Sequence, residues 1–206
     1  MEMIRELRGL CMLKAGLVLL PFGLAIALMA CAGESSAVDS STEEPVTADS
    51  VVPSLEMAFD FPFAVYTGKK TLGSIFLNLS DLQGTPVVLN FWAGLCPPCT
   101  AEMPELQEFY DEYADKVLLL GIDVGRYTGL GERTDASELL DDLGITYPTG
   151  FDRDGNTIKM YEVFNMPTTF FINSKGEIYR KWTGVINKKA LIEISDEMIA
   201  DESSGV

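Results

Sequence analysis

Two cysteines three positions apart, Cys96 and Cys99, enclose Pro97 and Pro98 and stand a few residues after the apolar run Val87 to Phe91. Thiols one helical turn apart lie on one face and can close a ring with each other, which is the chemistry of disulfide exchange. The apolar, β-branched run reads as a strand, and the helical pattern that follows starts at the first cysteine. A cysteine at a helix start meets unpaired N–H groups and the positive end of the macrodipole, which favours its thiolate. Cys96 is therefore read as the nucleophile and Cys99 as the resolving thiol. Pro97 suits the first helical position, where no N–H is required and φ is already helical. Structural zinc needs four sulfur or nitrogen ligands. The chain has no histidine, and its other cysteines, Cys11 and Cys31, stand in the N-terminal segment. A structural staple is also a poor reading, because so short a loop constrains the unfolded chain little.

The residues around this pair resemble a known family. Asn90-Phe91-Trp92-Ala93, Cys96-Pro97-Pro98-Cys99, Glu102, Pro104 and Met166-Pro167-Thr168-Thr169-Phe170-Phe171-Ile172 are similar to the TlpA/ResA-like thiol-disulfide oxidoreductases. The resemblance runs from about Leu55 to Ala200. It implies a thioredoxin-like α/β fold, a central mixed β-sheet flanked by helices with an N-terminal β-hairpin addition, and it implies no cofactor and no metal. It further implies that Trp92, Pro97, Met166 and Pro167 hold the substrate, with Pro167 a cis-proline facing the dithiol, and that Glu102 is an active-site glutamate. By residue logic alone, Pro167 is equally a strand-opening proline and Glu102 equally a first-turn carboxylate favoured by the dipole. One departure is Leu95, where the family usually carries tryptophan before the first cysteine. Asn90 stands where thioredoxins proper place a buried aspartate that manages protons, a function this chain is therefore expected to lack.

The remaining pattern supplies the elements that must position the site. Met57 to Tyr66 and Leu72 to Leu79 read as a hairpin around Thr67-Gly68-Lys69-Lys70. A helix is expected from Cys96 to about Tyr113, kinked at Pro104, and a buried strand over Lys116 to Val124. Gly125, Gly129 and Gly131 lack the full dinucleotide fingerprint and read as a loop. Thr134 or Asp135 should cap a helix that runs through Leu143 and stops at Gly144. A short strand follows over Tyr147 to Phe151. The acids of Asp152-Arg153-Asp154-Gly155-Asn156 lack calcium-loop spacing and read as a turn. Thr157 to Phe164 reads as a short helix, and Thr168 to Ile172 and Glu177 to Thr183 as a second hairpin. Asn187 should cap the last helix, with Leu191, Ile194 and Met198 as its apolar stripe. Trp182 is read as core or sheet filler.

The N-terminus carries a different message. Arg5, Arg8 and Lys14 precede the apolar run Ala15 to Ala30, the order of a secretory signal. Leu28-Met29-Ala30-Cys31 resembles the lipobox of bacterial lipoproteins, which makes Cys31 the lipidated first residue of the mature chain. Ordinary cleavage after Ala32 and an uncleaved anchor stay open beside it. Residues 1–30 are thus a signal peptide, 31–54 an acidic tether spanning roughly 25–30 Å as a flexible coil, and 55–206 the thioredoxin-like domain.

A net charge of −16 argues against nucleic acid and against anionic lipid as partners of the domain surface. The expected activity is extracytoplasmic, membrane-tethered reduction of protein disulfides. By resemblance, apocytochrome c is a candidate substrate and a membrane thiol carrier the electron donor. Two alternatives are a peroxiredoxin-like peroxidase, whose pattern wants threonine where Ala93 stands, and a thioredoxin-like metal carrier, which wants a histidine.

Overall fold

The computed structural model describes residues 55–205; the expectations for the signal, the tether and Cys31 lie outside them. Seven strands and six helices follow one another as β1 (Pro62–Thr67), α1 (Lys69–Leu72), β2 (Phe76–Asn78), β3 (Val87–Trp92), α2 (Pro97–Tyr113), β4 (Leu118–Asp123), α3 (Gly125–Thr128), α4 (Arg133–Asp142), β5 (Thr149–Asp152), α5 (Thr157–Met160), β6 (Thr168–Ile172), β7 (Ile178–Thr183) and α6 (Lys188–Ser204). All seven strands form one sheet in the order β2-β1-β5-β4-β3-β6-β7. β3, β4 and β5 run parallel, while β1, β2, β6 and β7 join antiparallel. The sheet is thus the mixed sheet expected, with the hairpin added at the β5 edge.

β3 is buried at all six positions, as a central strand covered on both faces must be. Its alternation divides the core. Val88 and Trp92 point to the face covered by Met103, Leu106 and Phe109 of α2 and Leu191, Ile194 and Met198 of α6. Val87, Leu89 and Phe91 point to the other face, among Phe61, Phe63, Tyr161 and Phe170. Asn90 shares the parity of Val88 and Trp92, so the one amide in an otherwise apolar strand is aimed at α2.

Several boundaries differ from the sequence reading for identifiable reasons. The first hairpin is shorter than its apolar runs because residues 69–72 close a helical turn between Gly68 and Gly73, both at positive φ; Met57 pairs with Glu177 instead. α4 starts two to three residues early, with Glu132 as its cap, because the Asp135 carboxylate accepts the Glu132 N–H at 2.6 Å. Gly125 to Thr128 coil into a helical turn that had read as loop. α5 ends at Met160 because Glu162 takes φ 49°, which breaks the helical path before Phe164. Trp182 is 37% exposed on the edge strand β7, its indole N–H donating to the Val185 carbonyl at 3.2 Å.

Asn187 does cap α6, accepting the Ala190 N–H at 2.9 Å, and this helix closes the core face beneath the dithiol. Asn187→Ala should lower unfolding stability by about 1 kcal/mol, seen as a lower denaturant midpoint at unchanged slope.

Candidate active site

Cys96 occupies the N-cap of α2 with extended backbone, and Pro97 and Pro98 fill the first helical positions. Neither proline has an N–H, so the first amide of the helix that can reach the sulfur is that of Cys99, which donates to Cys96 Sγ at 3.3 Å. Cys96 and Cys99 are joined as a disulfide, Cα to Cα 5.3 Å. Cys99 is wholly buried and Cys96 retains only 3% of its surface. Cys96 is therefore less open than its place at a helix start suggests, but of the pair it alone retains any exposure. Pro97, Pro98 and Leu95 are exposed beside it.

The short segment between β3 and α2 is held rigidly. Leu95 N–H donates to the Leu130 carbonyl at 2.8 Å, Cys96 N–H to Ala93 at 3.2 Å, and Val124 N–H to Trp92 at 2.9 Å. Gly94 is where α4 comes closest: a Cβ there would sit 2.5 Å from the Ala136 nitrogen and 2.7 Å from the Asp135 carbonyl carbon. Only glycine admits that approach. At the end of β4, Asp123 lies opposite Trp92 and accepts from the Tyr66 hydroxyl at 3.0 Å and the Gly125 N–H at 2.8 Å. Burial raises its pKa, and those two donors counter part of the rise.

Trp92 had been expected among the substrate contacts. It is wholly buried and packs in the cluster that contains both cysteines, so it lies under the dithiol and offers no surface to a partner. Its length and shape serve the core; only its position in the motif, not its chemistry, pointed outward.

Glu102 is the second group the site depends on. It stands one turn beyond Cys99 on the same side of α2 and is fully buried. Asn90 Nδ2 donates to its Oε1 at 2.8 Å, and the Ile186 N–H donates to its Oε2 at 3.1 Å. Asn90 Nδ2 also reaches Thr169 Oγ1 at 3.1 Å. Burial lifts the carboxyl pKa from 4.5 to about 7, the hydrogen bonds from Asn90 and Ile186 pulling the other way. Glu102 is thus not the first-turn carboxylate that residue logic allowed: α2 starts at Pro97, which puts it in the second turn, buried. Tyr147, buried nearby, has its phenol pushed up by burial and then by the Glu102 charge, and its hydroxyl has no partner among the described residues. Asn90 and Ile186 were not singled out as site residues. A polar side chain in the middle of a buried strand must find a buried partner, and that rule was the available signal for Asn90.

The Met166–Pro167 peptide is cis. Antiparallel pairing of Phe91 with Thr168 puts Pro167 level with the end of β3, alongside the segment that leads to the dithiol. Pro167 is buried, Met166 half-buried. The Pro167 carbonyl accepts from Gly184 N–H at 2.9 Å, and the Asn165 carbonyl from Thr168 Oγ1 at 2.7 Å. The N–H and C=O of Met166 have no partner among the described residues. A proline at the next position leaves no second N–H to compete there. The site therefore joins a dithiol, a buried carboxyl that titrates near neutrality, and a free pair of backbone groups suited to an added strand.

Residues 62–181 match the AhpC/TSA family. Over 102 residues the chain is 39% identical to the thiol-disulfide oxidoreductase ResA of Oceanobacillus iheyensis, an alignment covering 50% of this chain and 51% of that protein. The chain thus spans about half the length of that relative. It is 32% identical to ResA of Halalkalibacterium halodurans over 127 residues, 62% of this chain and 69% of that one. Among solved structures it is similar to the pneumococcal exposed lipoprotein thioredoxin Etrx1 from Streptococcus pneumoniae, with TM-score 0.56 and 26% identity over 68% of this chain and 99% of that chain.

The raised pKa of Glu102 sets a stability signature. The unfolded carboxyl ionises near 4.5, the folded one near 7, so the native state holds the proton longer and its advantage is present in full below the lower value. Stability should fall as pH rises from about 5 to 8, by about 3 kcal/mol from this group alone. Glu102→Gln should abolish that component: its melting temperature should gain on wild type as pH rises. Parallel pH profiles of the two proteins would contradict the burial argument.

Proposed function

The chain belongs to the AhpC/TSA family, with ResA-type thiol-disulfide oxidoreductases among its relatives, and from that premise and the site geometry we propose that it reduces protein disulfides outside the cytoplasm. The observation that carries this reading is the Cys96–Cys99 pair at the start of α2, with Glu102 buried one turn further on.

The exchange begins with the reduced dithiol. Cys96 thiolate, accepting the Cys99 N–H, attacks one sulfur of a substrate disulfide; a mixed disulfide forms and the other substrate sulfur leaves as thiolate. Cys99, wholly buried, must lose its proton before it can attack Cys96 and expel the second substrate thiolate. The buried carboxylate of Glu102 accepts that proton. Burial raises its pKa to about 7, close enough to neutrality that both roles, base in this direction and acid in the other, are available. The products are a reduced substrate and an oxidised Cys96–Cys99 pair, the state of the structure. The free N–H and C=O of Met166 take the substrate segment as an added strand, with exposed Pro97 as an apolar wall and buried Pro167 shaping the edge.

The poise follows from what surrounds the sulfur. Strong oxidants of this fold stabilise the reduced form through a very acidic nucleophile. Here two prolines remove the nearest helix donors, leaving one amide and the dipole, and the Glu102 charge disfavours a second anion nearby. The dithiol therefore acts as a reductant, which in an oxidising compartment requires continuous electron supply.

Extracytoplasmic placement rests on the signal pattern of residues 1–30 and on Cys31 as lipid acceptor; Etrx1, a structural relative, is itself described as an exposed lipoprotein. Membrane tethering, apocytochrome c as substrate and a membrane thiol carrier as donor belong to this reading as its finer parts. A peroxidase reading is disfavoured by Ala93, buried and unable to donate a hydrogen bond where a peroxide oxygen would need one.

In the reduced protein, Cys96 should alkylate before Cys99 near neutral pH. A Cys99→Ser variant should accumulate a mixed disulfide with its substrate, released by dithiothreitol. Faster labelling of Cys99 would reverse the two roles, and a Cys31→Ala variant still retained on membranes and lipid-labelled would remove the lipoprotein assignment.

A further inference from the structure

Phe164 is 84% exposed, the most exposed large apolar side chain among the described residues. It is set there by its surroundings. Tyr161 is anchored in the aromatic cluster with Phe59, Phe61, Phe91 and Phe170, and Val163 is buried. Between them Glu162 adopts φ 49°. Lys181 Nζ, reaching over from β7, donates to the carbonyls of Tyr161 at 3.2 Å and Glu162 at 2.9 Å. The turn so fixed sends Val163 inward and Phe164 outward, three residues before Pro167.

Two further loops at this end of the sheet do the same. Leu95, directly before Cys96, is 59% exposed, and Val185 is 49% exposed. Val185 sits between Gly184, whose N–H binds the Pro167 carbonyl, and Ile186, whose N–H binds Glu102. Each of the three segments beside the dithiol thus presents a large apolar side chain to water, Leu95 with Pro97 and Pro98 exposed next to it. None of residues 94–98, 163–167 and 184–186 is charged, although the whole chain carries −16. Three partly exposed segments without a charge, in a chain of net charge −16, have the composition of an interface core. The unpaired N–H and C=O of Met166 lie within the same set, and they call for an extended polypeptide in particular.

We propose that Phe164, Leu95 and Val185 form an apolar collar that selects disulfide-bearing polypeptide segments with a bulky apolar residue next to the cysteine, Phe164 being the principal contact. The proposal rests on the reductase reading and names the substrate class it acts on. It also answers the departure at Leu95: an aromatic surface is supplied here by the loop before the cis-proline.

Two synthetic peptides, each closed by one disulfide and differing only in phenylalanine or serine before the first cysteine, test this with the reduced full-length protein. Wild type should favour the phenylalanine peptide by about tenfold in kcat/KM, mainly through KM. Phe164→Ser should bring the ratio close to one, and Phe164→Leu should retain much of it, both with the wild-type reduction potential. Because the side chain is exposed, neither change threatens the fold. Equal turnover of the two peptides by wild type, or full discrimination in Phe164→Ser, would overturn the collar while leaving the reductase reading intact. Failure of wild type to reduce either peptide would overturn both.

Discussion

A carboxyl group withdrawn from water and tied to one side-chain amide and one backbone N–H is the constraint around which this site is built. Glu102 receives one hydrogen bond from Asn90 on the central strand and one from the Ile186 amide before the last helix. Three elements, β3, α2 and the β7–α6 connection, must therefore hold their relative positions for the charge to be tolerated at all, because a buried carboxylate without partners costs several kcal/mol. The same connection binds the Pro167 carbonyl through Gly184. Fixing the carboxyl thus fixes the loop that carries the cis-proline, and the cysteine pair, the buried carboxyl and the edge beside Pro167 become one unit.

Chemistry and packing make opposite demands here, and the arrangement divides them between the two sulfurs. Cys96 has the helix start, the Cys99 amide and what solvent exposure the pair possesses. Cys99 has burial, which alone would keep it a thiol, and needs a nearby base to act. In the proposed exchange that base is Glu102, one turn on along the helix and already held in place. Trp92 and Gly94 complete the support, the first by filling the space under the disulfide and the second by letting α4 press against the segment that delivers it.

Much of this was legible from the chain. Val87 to Trp92 is apolar or β-branched at nearly every position, and the dithiol with two prolines marks a helix start so specifically that α2 falls within one residue of its expected bounds. The burial of Glu102 was not legible, since a glutamate in the second turn reads equally as solvated, and its partners come from 12 and 84 residues away. Asn90 stands out in the sequence only as an amide in an apolar strand; its part in holding Glu102 depends on the packing of α2 on β3. α4 was displaced because glutamate is outside the usual capping set, and α5 was overextended because no local signal announces a positive φ at Glu162. The reading of residues 1–30 as a signal and of Cys31 as a lipid acceptor rests on sequence alone.

The central claim is that a dithiol flanked by two prolines and backed by a buried carboxyl is a reductant. Equilibration of the full-length protein against defined dithiothreitol or glutathione buffers at pH 7, with the fraction oxidised followed by thiol labelling, measures this directly. The account predicts a midpoint potential close to that of thioredoxin, about −270 mV. A value close to about −120 mV, where the strongly oxidising members of the fold lie, would contradict it.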